Sequence, residues 1–214
     1  MKILVTGFEP FGDEKINPSW EAVKMLPAEI SGAEIIKMEV PTVFEESDAV
    51  VETAIIQYGL DAVICVGQAG GRTEITVEKV GINLMEASIP DNKGNKPIDE
   101  AIREDGPDGL FSTLPVKAIV SKMQSEGIPV KMSYTAGTYV CNNLLYALLH
   151  FAKTKCPDVK VGFIHVPFSC EQAVAKADGT FGMPIDMMAK GLELAIRALV
   201  EPEGECMTAM GETH

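Results

Sequence analysis

Short apolar runs alternate along this chain with amphipathic segments, and this alternation limits the possible folds more than any other feature of the sequence. Buried parallel strands are near-continuous hydrophobic runs, and the helices that connect them carry one apolar stripe. The pattern therefore predicts an α/β fold with a mostly parallel sheet. The predicted strands cover residues 3–6, 34–40, 62–67, 130–134 and 159–166.

Sequence signals for helix starts and ends support this interpretation. Asn17 followed by Pro18 predicts the start of a first helix, because Asn caps free amides and Pro suits the first helical position. Thr42 and Glu45 predict a capping box for a second helix, which ends before Gly59. The helix after Pro18 is predicted over residues 20–26. Three further helices are predicted over residues 115–124, 142–153 and 184–200.

The length and composition of the chain favour a single domain. With 214 residues, 46% of them hydrophobic, the chain can bury a core without metals or disulfides. We expect this domain over residues 1–200 and a flexible tail over 201–214, which has little to bury. Residues 90–109 are rich in Asp, Gly, Asn and Pro, which predicts a long surface excursion around a short helix near 98–103.

Charge and cysteine usage exclude several classes of function. Lys and Arg total 18 against 31 Asp and Glu, so a nucleic-acid partner is not expected. The opening MKILVTGF is too short for a signal sequence and no later apolar stretch could span a membrane, so we expect a soluble, intracellular protein. The five cysteines include no CxxC pair, which argues against a disulfide framework and a structural zinc site.

Cys141 lies where an open α/β sheet places its ligands, at the carboxyl end of a strand. It follows the run VKMSYTAGTYV and directly precedes a predicted helix. A thiol at a helix N-terminus is expected to have a lowered pKa, and the free amides there can hold an oxyanion. Position alone leaves two interpretations open, a nucleophile or a small buried apolar residue.

One of the three histidines is well placed to act as the base for such a thiol. His165 ends an apolar run just before Pro167, again at the expected carboxyl edge of the sheet. His150 follows Cys141 by nine residues on the same predicted helix, about 180° around it, and His214 is the last residue. His165 is therefore the candidate base, with a core histidine as the alternative.

The segment VGQAGGRTEITVEKVGINL offers a carboxylate that could orient this imidazole. Glu78 interrupts the apolar residues of an extended stretch, whereas Glu74 lies nearer the loop, so Glu78 is the expected buried partner. Arg72 could contact a substrate carbonyl or form a surface salt bridge. The glycines of this segment match neither GxGxxG nor GxxxxGK[ST], so nucleotide or cofactor binding finds little support.

Several separated blocks together resemble the pyroglutamyl peptidase I family, also called pyrrolidone-carboxylate peptidases. The blocks are TGFEPFGDEKINPSWEA, GQAGGRTEITVEKVGIN, MSYTAGTYVCNN and FIHVPF, and the resemblance extends from residue 1 to about residue 200. It implies that the glutamate of TVEK, the cysteine of YVCN and the histidine of IHVP form a triad. These residues are Glu78, Cys141 and His165.

The resemblance also implies a fold and an activity. The family is an α/β/α sandwich around a twisted sheet and hydrolyses the amide bond after an N-terminal pyroglutamyl residue, without a metal or organic cofactor. Pyroglutamyl peptides are therefore the expected substrates. The family is also cytosolic and commonly tetrameric, so a cytosolic location and a homotetramer are expected. Phe8 and Phe11 are similar to the aromatic clamp that holds the ring in this family. The other expected pocket residues are Asn17, Gln68, Arg72, Tyr139 and Val140.

The sequence departs from the family pattern at two positions. Asp13 stands where the family more often has Gly, and Gly81 stands where it usually has Ala.

A zinc hydrolase could use Cys141, His165 and either Glu78 or Cys170 as ligands, although no short ligand spacing supports it. A small-molecule binding protein on the same sheet would keep Cys141 as an inert core residue, and selective alkylation of this thiol would count against it.

Overall fold

A computed structural model describes residues 1–201 and 209–211 of the chain. Strands and helices alternate along this part, as the sequence pattern predicts. The elements are β1 (Lys2–Phe8), α1 (Pro18–Lys24), β2 (Glu29–Ile30), β3 (Ala33–Val40), α2 (Glu46–Tyr58), β4 (Ala62–Gln68), β5 (Ile75–Glu78), β6 (Val80–Ile82), β7 (Gly109–Phe111), α3 (Val116–Ser125), β8 (Val130–Ser133), α4 (Val140–Lys155), β9 (Lys160–Val166), α5 (Cys170–Val174) and α6 (Ile185–Val200).

Seven of these strands form one sheet, in the order β2, β3, β1, β4, β9, β5, β8. The pairs β1–β3, β1–β4, β4–β9 and β5–β8 are parallel. The edge strand β2 is antiparallel to β3, and β5 is antiparallel to β9. The predicted α/β fold with a mostly parallel sheet is therefore confirmed. Strands β6 and β7 pair separately as a small antiparallel sheet.

Helices cover both faces of the large sheet. One apolar core joins the sheet to α1, α3 and α6, and the other joins it to α2 and α4. Successive side chains of a strand point to opposite faces. On β9, Ile164 and Val166 lie in the first core, whereas Val161 and Phe163 lie in the second. This alternation places His165 on the face that α4 covers.

The start of α1 is confirmed, whereas the start of α2 differs from the prediction. Asn17 caps α1 through the amide of Ser19. The capping box predicted for Thr42 and Glu45 is wrong, because Glu45 is the N-cap of α2, at φ 62°, and makes no side-chain capping bond. Thr42 instead donates its hydroxyl to the Glu9 carbonyl, at 3.0 Å, and its amide to the Glu9 carboxylate, at 3.0 Å. Thr42 therefore bonds to Glu9, which is distant in the sequence, instead of capping α2.

The helix predicted near residues 98–103 is also wrong. The backbone of Glu100 forms an isolated antiparallel bridge with Met85, and the Arg103 amide donates to the Asn83 side chain at 2.9 Å. These contacts with the segment after β6 hold residues 98–103 in an irregular conformation. The polar composition of residues 90–109 does predict the excursion itself, but the excursion packs against the protein through long-range hydrogen bonds.

The region beyond α6 is described in part. Met210 is half-buried against the first core, and its carbonyl accepts a hydrogen bond from the Tyr134 hydroxyl at 3.5 Å. Residues 202–208 and 212–214 of the predicted flexible tail, with Cys206 and His214, lie outside the described residues. Within residues 1–201 and 209–211, no helix is both long and apolar enough to cross a membrane.

Candidate active site

Sheet register brings the candidate histidine beside two other strands. His165 is 3% exposed and lies opposite Gly67 of β4 on one side and Thr76 of β5 on the other. Because Thr76 is the register partner of His165 and side chains alternate along a strand, Thr76 and Glu78 lie on the same face as His165. The insertion of β5 next to β9 therefore presents a carboxylate to this imidazole.

Glu78 and His165 form a buried pair. The Nδ1 atom of His165 lies 2.7 Å from Oε1 of Glu78, whose side chain has no exposed surface. Burial acts to raise the pKa of Glu78, but the hydrogen bond and charge of His165, together with Ser133 and Arg72, lower it below its usual range. The carboxylate is thus ionised and orients the ring through Nδ1, which leaves Nε2 for chemistry with another group.

Arg72 contacts Glu78 as well. Its Nη1 atom lies 2.6 Å from the same Oε1 atom and also donates to the hydroxyl of Thr76. Its Nη2 atom donates to the Thr135 carbonyl at 3.0 Å. The guanidinium, for which the sequence leaves a substrate carbonyl or a surface salt bridge open, pairs here with a buried carboxylate and stabilises its ionised form.

Cys141 is the second residue of α4 and lies against the end of β4. A Cβ atom built on Gly67 would lie 2.9 Å from the Cys141 sulfur and 2.8 Å from the ring of Phe163. Gly67 is the register neighbour of His165, so the thiol occupies space directly beside the imidazole strand. The absence of a side chain at Gly67 makes room for this approach.

The pKa of the Cys141 thiol differs from the sequence expectation. Burial raises it to about 12, and the charge of Glu78 adds to this effect, while Arg72 opposes it. The predicted lowering of this pKa is wrong, because desolvation by burial outweighs Arg72 and the backbone hydrogen bond, which both act to lower it. The resting sulfur is thus a neutral thiol, and a base must remove its proton before it can attack.

Aromatic side chains surround the start of α4. The Tyr139 ring lies 6.2 Å from Phe11 and 5.3 Å from Phe44, centre to centre, and its hydroxyl donates to the Pro90 carbonyl at 2.9 Å. Phe11 and Tyr139 are half-buried, as ring-binding residues would be. Phe44, which we did not identify from the sequence, extends this aromatic group.

Two of the predicted pocket residues are more deeply buried. Phe8 is 2% exposed and packs 6.4 Å from Phe163, whose own ring lies 4.6 Å from that of His165. Val140 has no exposed surface and belongs to the second core. Both residues therefore lie in the packed interior, and Phe163, which the sequence shows only as part of an apolar run, packs between Phe8 and His165.

Asn17 and Gln68 both use their side chains within the protein. Asn17 caps α1 and donates to the Glu9 carbonyl at 3.0 Å, which ties the loop that carries Phe11. Gln68, the last residue of β4, is half-buried and accepts a hydrogen bond at Oε1 from Gln172 at 2.9 Å. The spacing of Ser169 and Gln172 is that of a capping box, but no short-range pattern shows that Gln172 also contacts Gln68.

Of the other histidine and cysteines of the described region, Cys65 lies near Cys141, whose pKa it acts to raise. His150 stacks on Tyr146 along α4, 6.3 Å between ring centres. Cys65 is buried in the second core, and Cys170 is exposed at the start of α5. Among residues 1–201 and 209–211, no three His, Cys, Asp or Glu side chains are arranged to hold a metal ion.

Comparisons with known proteins agree on one family. A family model described as pyroglutamyl peptidase matches residues 1–202. The chain is 51% identical, over the full length of both, to the pyrrolidone-carboxylate peptidase of Streptococcus pneumoniae (strain 70585). It is 55% identical to that of Alkaliphilus oremlandii (strain OhILAs), with 94% of each chain covered.

Solved structures give the same result. The crystal structure of pyroglutamyl peptidase I from Bacillus amyloliquefaciens is similar with a TM-score of 0.93 and 45% identity, over 97% of this chain and 99% of that one. A pyrrolidone carboxyl peptidase mutant from Pyrococcus furiosus is similar with a TM-score of 0.90 and 40% identity, over 94% of this chain. Because model, sequence relatives and folds agree over nearly the whole chain, this protein belongs to the pyroglutamyl peptidase family.

Proposed function

We propose that this protein is a cysteine peptidase that hydrolyses the amide bond after an N-terminal pyroglutamyl residue, with Cys141, His165 and Glu78 as its triad. The observation that carries the proposal is the position of Gly67. A Cβ atom on this residue would lie 2.9 Å from the Cys141 sulfur. Gly67 is also the register neighbour of His165, which is itself bonded to an ionised Glu78. A thiol, an imidazole and a carboxylate in this order are the parts of an activated nucleophile.

The reaction begins with proton transfer, because the resting thiol is neutral. Nε2 of His165 takes the Cys141 proton as the sulfur attacks the pyroglutamyl carbonyl carbon, and Glu78 stabilises the imidazolium that forms. Collapse of the tetrahedral intermediate breaks the C–N bond, and the imidazolium gives its proton to the leaving amine. Water, deprotonated by His165, then attacks the thioester, which releases pyroglutamate and restores the thiol.

The start of α4 supplies donors for the developing oxyanion. The first amides of a helix have no partner within it, and Cys141 is the second residue of α4. A hydrogen bond from its own backbone amide acts to lower the pKa of the Cys141 thiol. An oxyanion formed at the attacked carbonyl would lie next to this amide. The amide N–H would stabilise the oxyanion and so favour attack by the sulfur.

The substrate ring is a neutral lactam, which suits an apolar wall with a few amide contacts. The half-buried rings of Phe11 and Tyr139 provide such a wall beside the start of α4. The cytoplasmic location and the homotetramer that the family resemblance implies stay predictions. Neither is needed for the reaction, because all three triad residues come from one chain.

A fluorogenic pyroglutamyl amide tests the proposal. We expect Cys141→Ala and Cys141→Ser to lose at least about 10⁴-fold in kcat, because removal of a nucleophile leaves only the binding contribution to catalysis. The matched control is Cys170→Ser, an exposed thiol on α5, which should retain activity. Iodoacetamide should abolish the activity of the control variant. The Cys141 variants should already be inactive, so the reagent should cause no further loss. Turnover that survives in Cys141→Ala would reject the assignment.

A further inference from the structure

Gln172 is a buried polar side chain that the reaction does not use. It lies in the first turn of α5 and is 6% exposed. Its backbone amide donates to the Ser169 hydroxyl at 3.1 Å, and its side-chain Oε1 accepts from the Ser169 amide at 3.0 Å. A backbone N–H can only donate, so this capping box decides which end of the Gln172 amide is oxygen. Its Nε2 group points the other way.

Every partner of that Nε2 group accepts hydrogen bonds. Nε2 lies 3.0 Å from the Glu14 carboxylate, 3.3 Å from the Ile16 carbonyl and 2.9 Å from Oε1 of Gln68. Burial acts to raise the pKa of Glu14, but hydrogen bonds from Lys176 and Gln172 hold it below its usual range, so this carboxyl is an acceptor. Gln172 must therefore donate, and Gln68 must present its oxygen to it.

The orientation of Gln68 follows from this network. Its oxygen faces Gln172, so its NH₂ group faces away, from a half-buried residue at the carboxyl end of β4. At the preceding residue, Gly67, an added Cβ atom would lie 2.9 Å from the Cys141 sulfur. We propose that Gln172 is a positioning residue that holds the Gln68 amide with its N–H donors toward the bound ring, where they bind the lactam carbonyl of a pyroglutamyl substrate.

This inference rests on the proposed function and adds a source of selectivity to it. The pyroglutamyl ring carries a carbonyl, which accepts hydrogen bonds, whereas the prolyl ring has a methylene at that position and a secondary amine that donates. A site built to donate rejects an analogue without the acceptor, because its buried donor is then left unpaired. The fixed Gln68 orientation would thus select pyroglutamyl over prolyl peptides.

The substitution Gln172→Glu tests the orientation directly. A glutamate keeps an oxygen for the Ser169 amide but offers only a second acceptor to Gln68, whose amide must then turn and present its oxygen to the ring. With pyroglutamyl and prolyl amides of one fluorophore, we expect the pyroglutamyl KM to rise about tenfold while kcat changes less. The ratio of kcat/KM for pyroglutamyl over prolyl should fall by about tenfold or more.

A second variant avoids the carboxylate pair that Gln172→Glu creates with Glu14. The double change Glu14→Gln with Gln172→Glu keeps the volume and net charge and still turns Gln68, so it should show the same fall in the ratio. Gln124→Glu, the same change on the exposed face of α3, is the control and should keep the original ratio.

Each outcome of this experiment is decisive. An unchanged ratio in both folded variants would overturn the proposal, and so would equal losses on both substrates with an unchanged KM, since that pattern indicates a merely structural role. If the unsubstituted protein does not cleave the pyroglutamyl amide at all, the proposed function itself fails, and this inference falls with it.

Discussion

At the scale of single residues, the candidate site depends on a carboxylate that stays ionised inside the protein. The pKa of Glu78 is lowered because the bonds and charges of His165, Ser133 and Arg72 outweigh its burial. A group with a depressed pKa stabilises the folded state above its ordinary pKa, and this contribution is lost as pH falls through the folded value. The Glu78 pair therefore contributes fully at neutral pH and is lost in acid.

The substitution Arg72→Met should show what the guanidinium adds. Without it, the pKa of Glu78 rises, so this group is protonated more easily and orients His165 less well. We expect kcat/KM to fall by about tenfold, or about 1.4 kcal/mol of transition-state stabilisation. The acid limb of the kcat/KM profile should also shift toward neutral pH, which a series of assays across pH measures.

Two variants control for this result. Arg72→Lys keeps a cation near Glu78 and should retain part of the activity and most of the original pH profile. Lys131→Met removes a half-exposed cation that pairs with Glu74, 3.1 Å away, and should leave the profile in place. An acid limb that does not move in Arg72→Met would contradict the role assigned to the guanidinium.

At the scale of elements, the site depends on how closely α4 approaches the sheet. Asn142, directly after the candidate nucleophile, has no exposed surface and exchanges hydrogen bonds with the segment after β5. Its Oδ1 atom accepts from the Ile82 amide at 3.0 Å, and its Nδ2 atom donates to the carbonyls of Ile82, at 2.9 Å, and Leu84, at 3.0 Å. These bonds fix the first turn of α4, while Gly67 permits its contact with β4.

Gly67→Ala should therefore damage activity more than stability. The new Cβ atom would lie 2.9 Å from the Cys141 sulfur and 2.8 Å from the Phe163 ring, so the thiol must move away from His165. We expect unfolding to become easier by about 1–3 kcal/mol, as in other overpacked cores, and kcat to fall by at least about a hundredfold. Urea unfolding and the fluorogenic assay measure the two effects.

Gly109→Ala is a matched control for this change. A Cβ atom on Gly109, in β7, would lie 3.5 Å from the nearest atom, which is an ordinary contact. This variant should retain both stability and kcat. Full activity in Gly67→Ala would show that the thiol does not need its observed position against β4.

At the scale of the whole molecule, Arg103 connects the long excursion to both helices of the second core. Its Nη2 atom lies 2.7 Å from Asp48 and 3.0 Å from Glu52, both on α2. Asp48, which is 2% exposed, also accepts a hydrogen bond from Asn143 of α4 at 2.9 Å. Residues 90–109 are thus attached to the layer that carries Cys141 through a buried ionic network.

Arg103→Met should destabilise the protein in a pH-dependent way. It leaves the Asp48 carboxylate buried without its cation, which should cost about 3 kcal/mol of unfolding free energy. Burial already raises the pKa of Glu52, and Arg103 opposes this, so the variant raises it further. A raised carboxyl pKa favours the folded state as pH falls.

The difference in unfolding free energy between the two proteins should therefore narrow from about pH 8 to about pH 5. Urea titrations at both pH values measure it. Lys93→Met breaks an exposed pair with Glu46 and should cost less than about 0.5 kcal/mol at either pH. A constant difference for Arg103→Met would show that Glu52 does not sense this charge.

Much of the fold can be predicted from the sequence because its signals act over a few residues. The apolar runs of β1, β3, β4, β8 and β9, and the cap and proline at Asn17 and Pro18, depend on neighbours along the chain. The strands β2, β6 and β7 and the helix α5 have only two to five residues each and give no such periodic signal. Strands β6 and β7 pair with each other from distant segments, whereas β2 forms a tight hairpin with β3 and α5 begins at a capping box.

The candidate residues of the site also come from the sequence, since strand ends, helix starts and buried polar residues are visible in it. It identified Cys141, His165 and Glu78 as candidates, but their arrangement depends on the fold. Glu78 and His165 are 87 residues apart and meet because β5 lies antiparallel to β9. The sequence could not show this, because strand order is chosen by the packing of the whole sheet.

The sequence by itself thus determined which segments become strands and helices and which side chains can do chemistry, because periodicity and capping are local. Only the tertiary structure decided what those side chains touch. It turned Arg72 toward Glu78, joined Gln172 to Gln68 across 104 residues, and raised the pKa of Cys141 by burial. Desolvation and hydrogen-bond geometry depend on every layer packed around a group, and no short stretch of sequence contains that information.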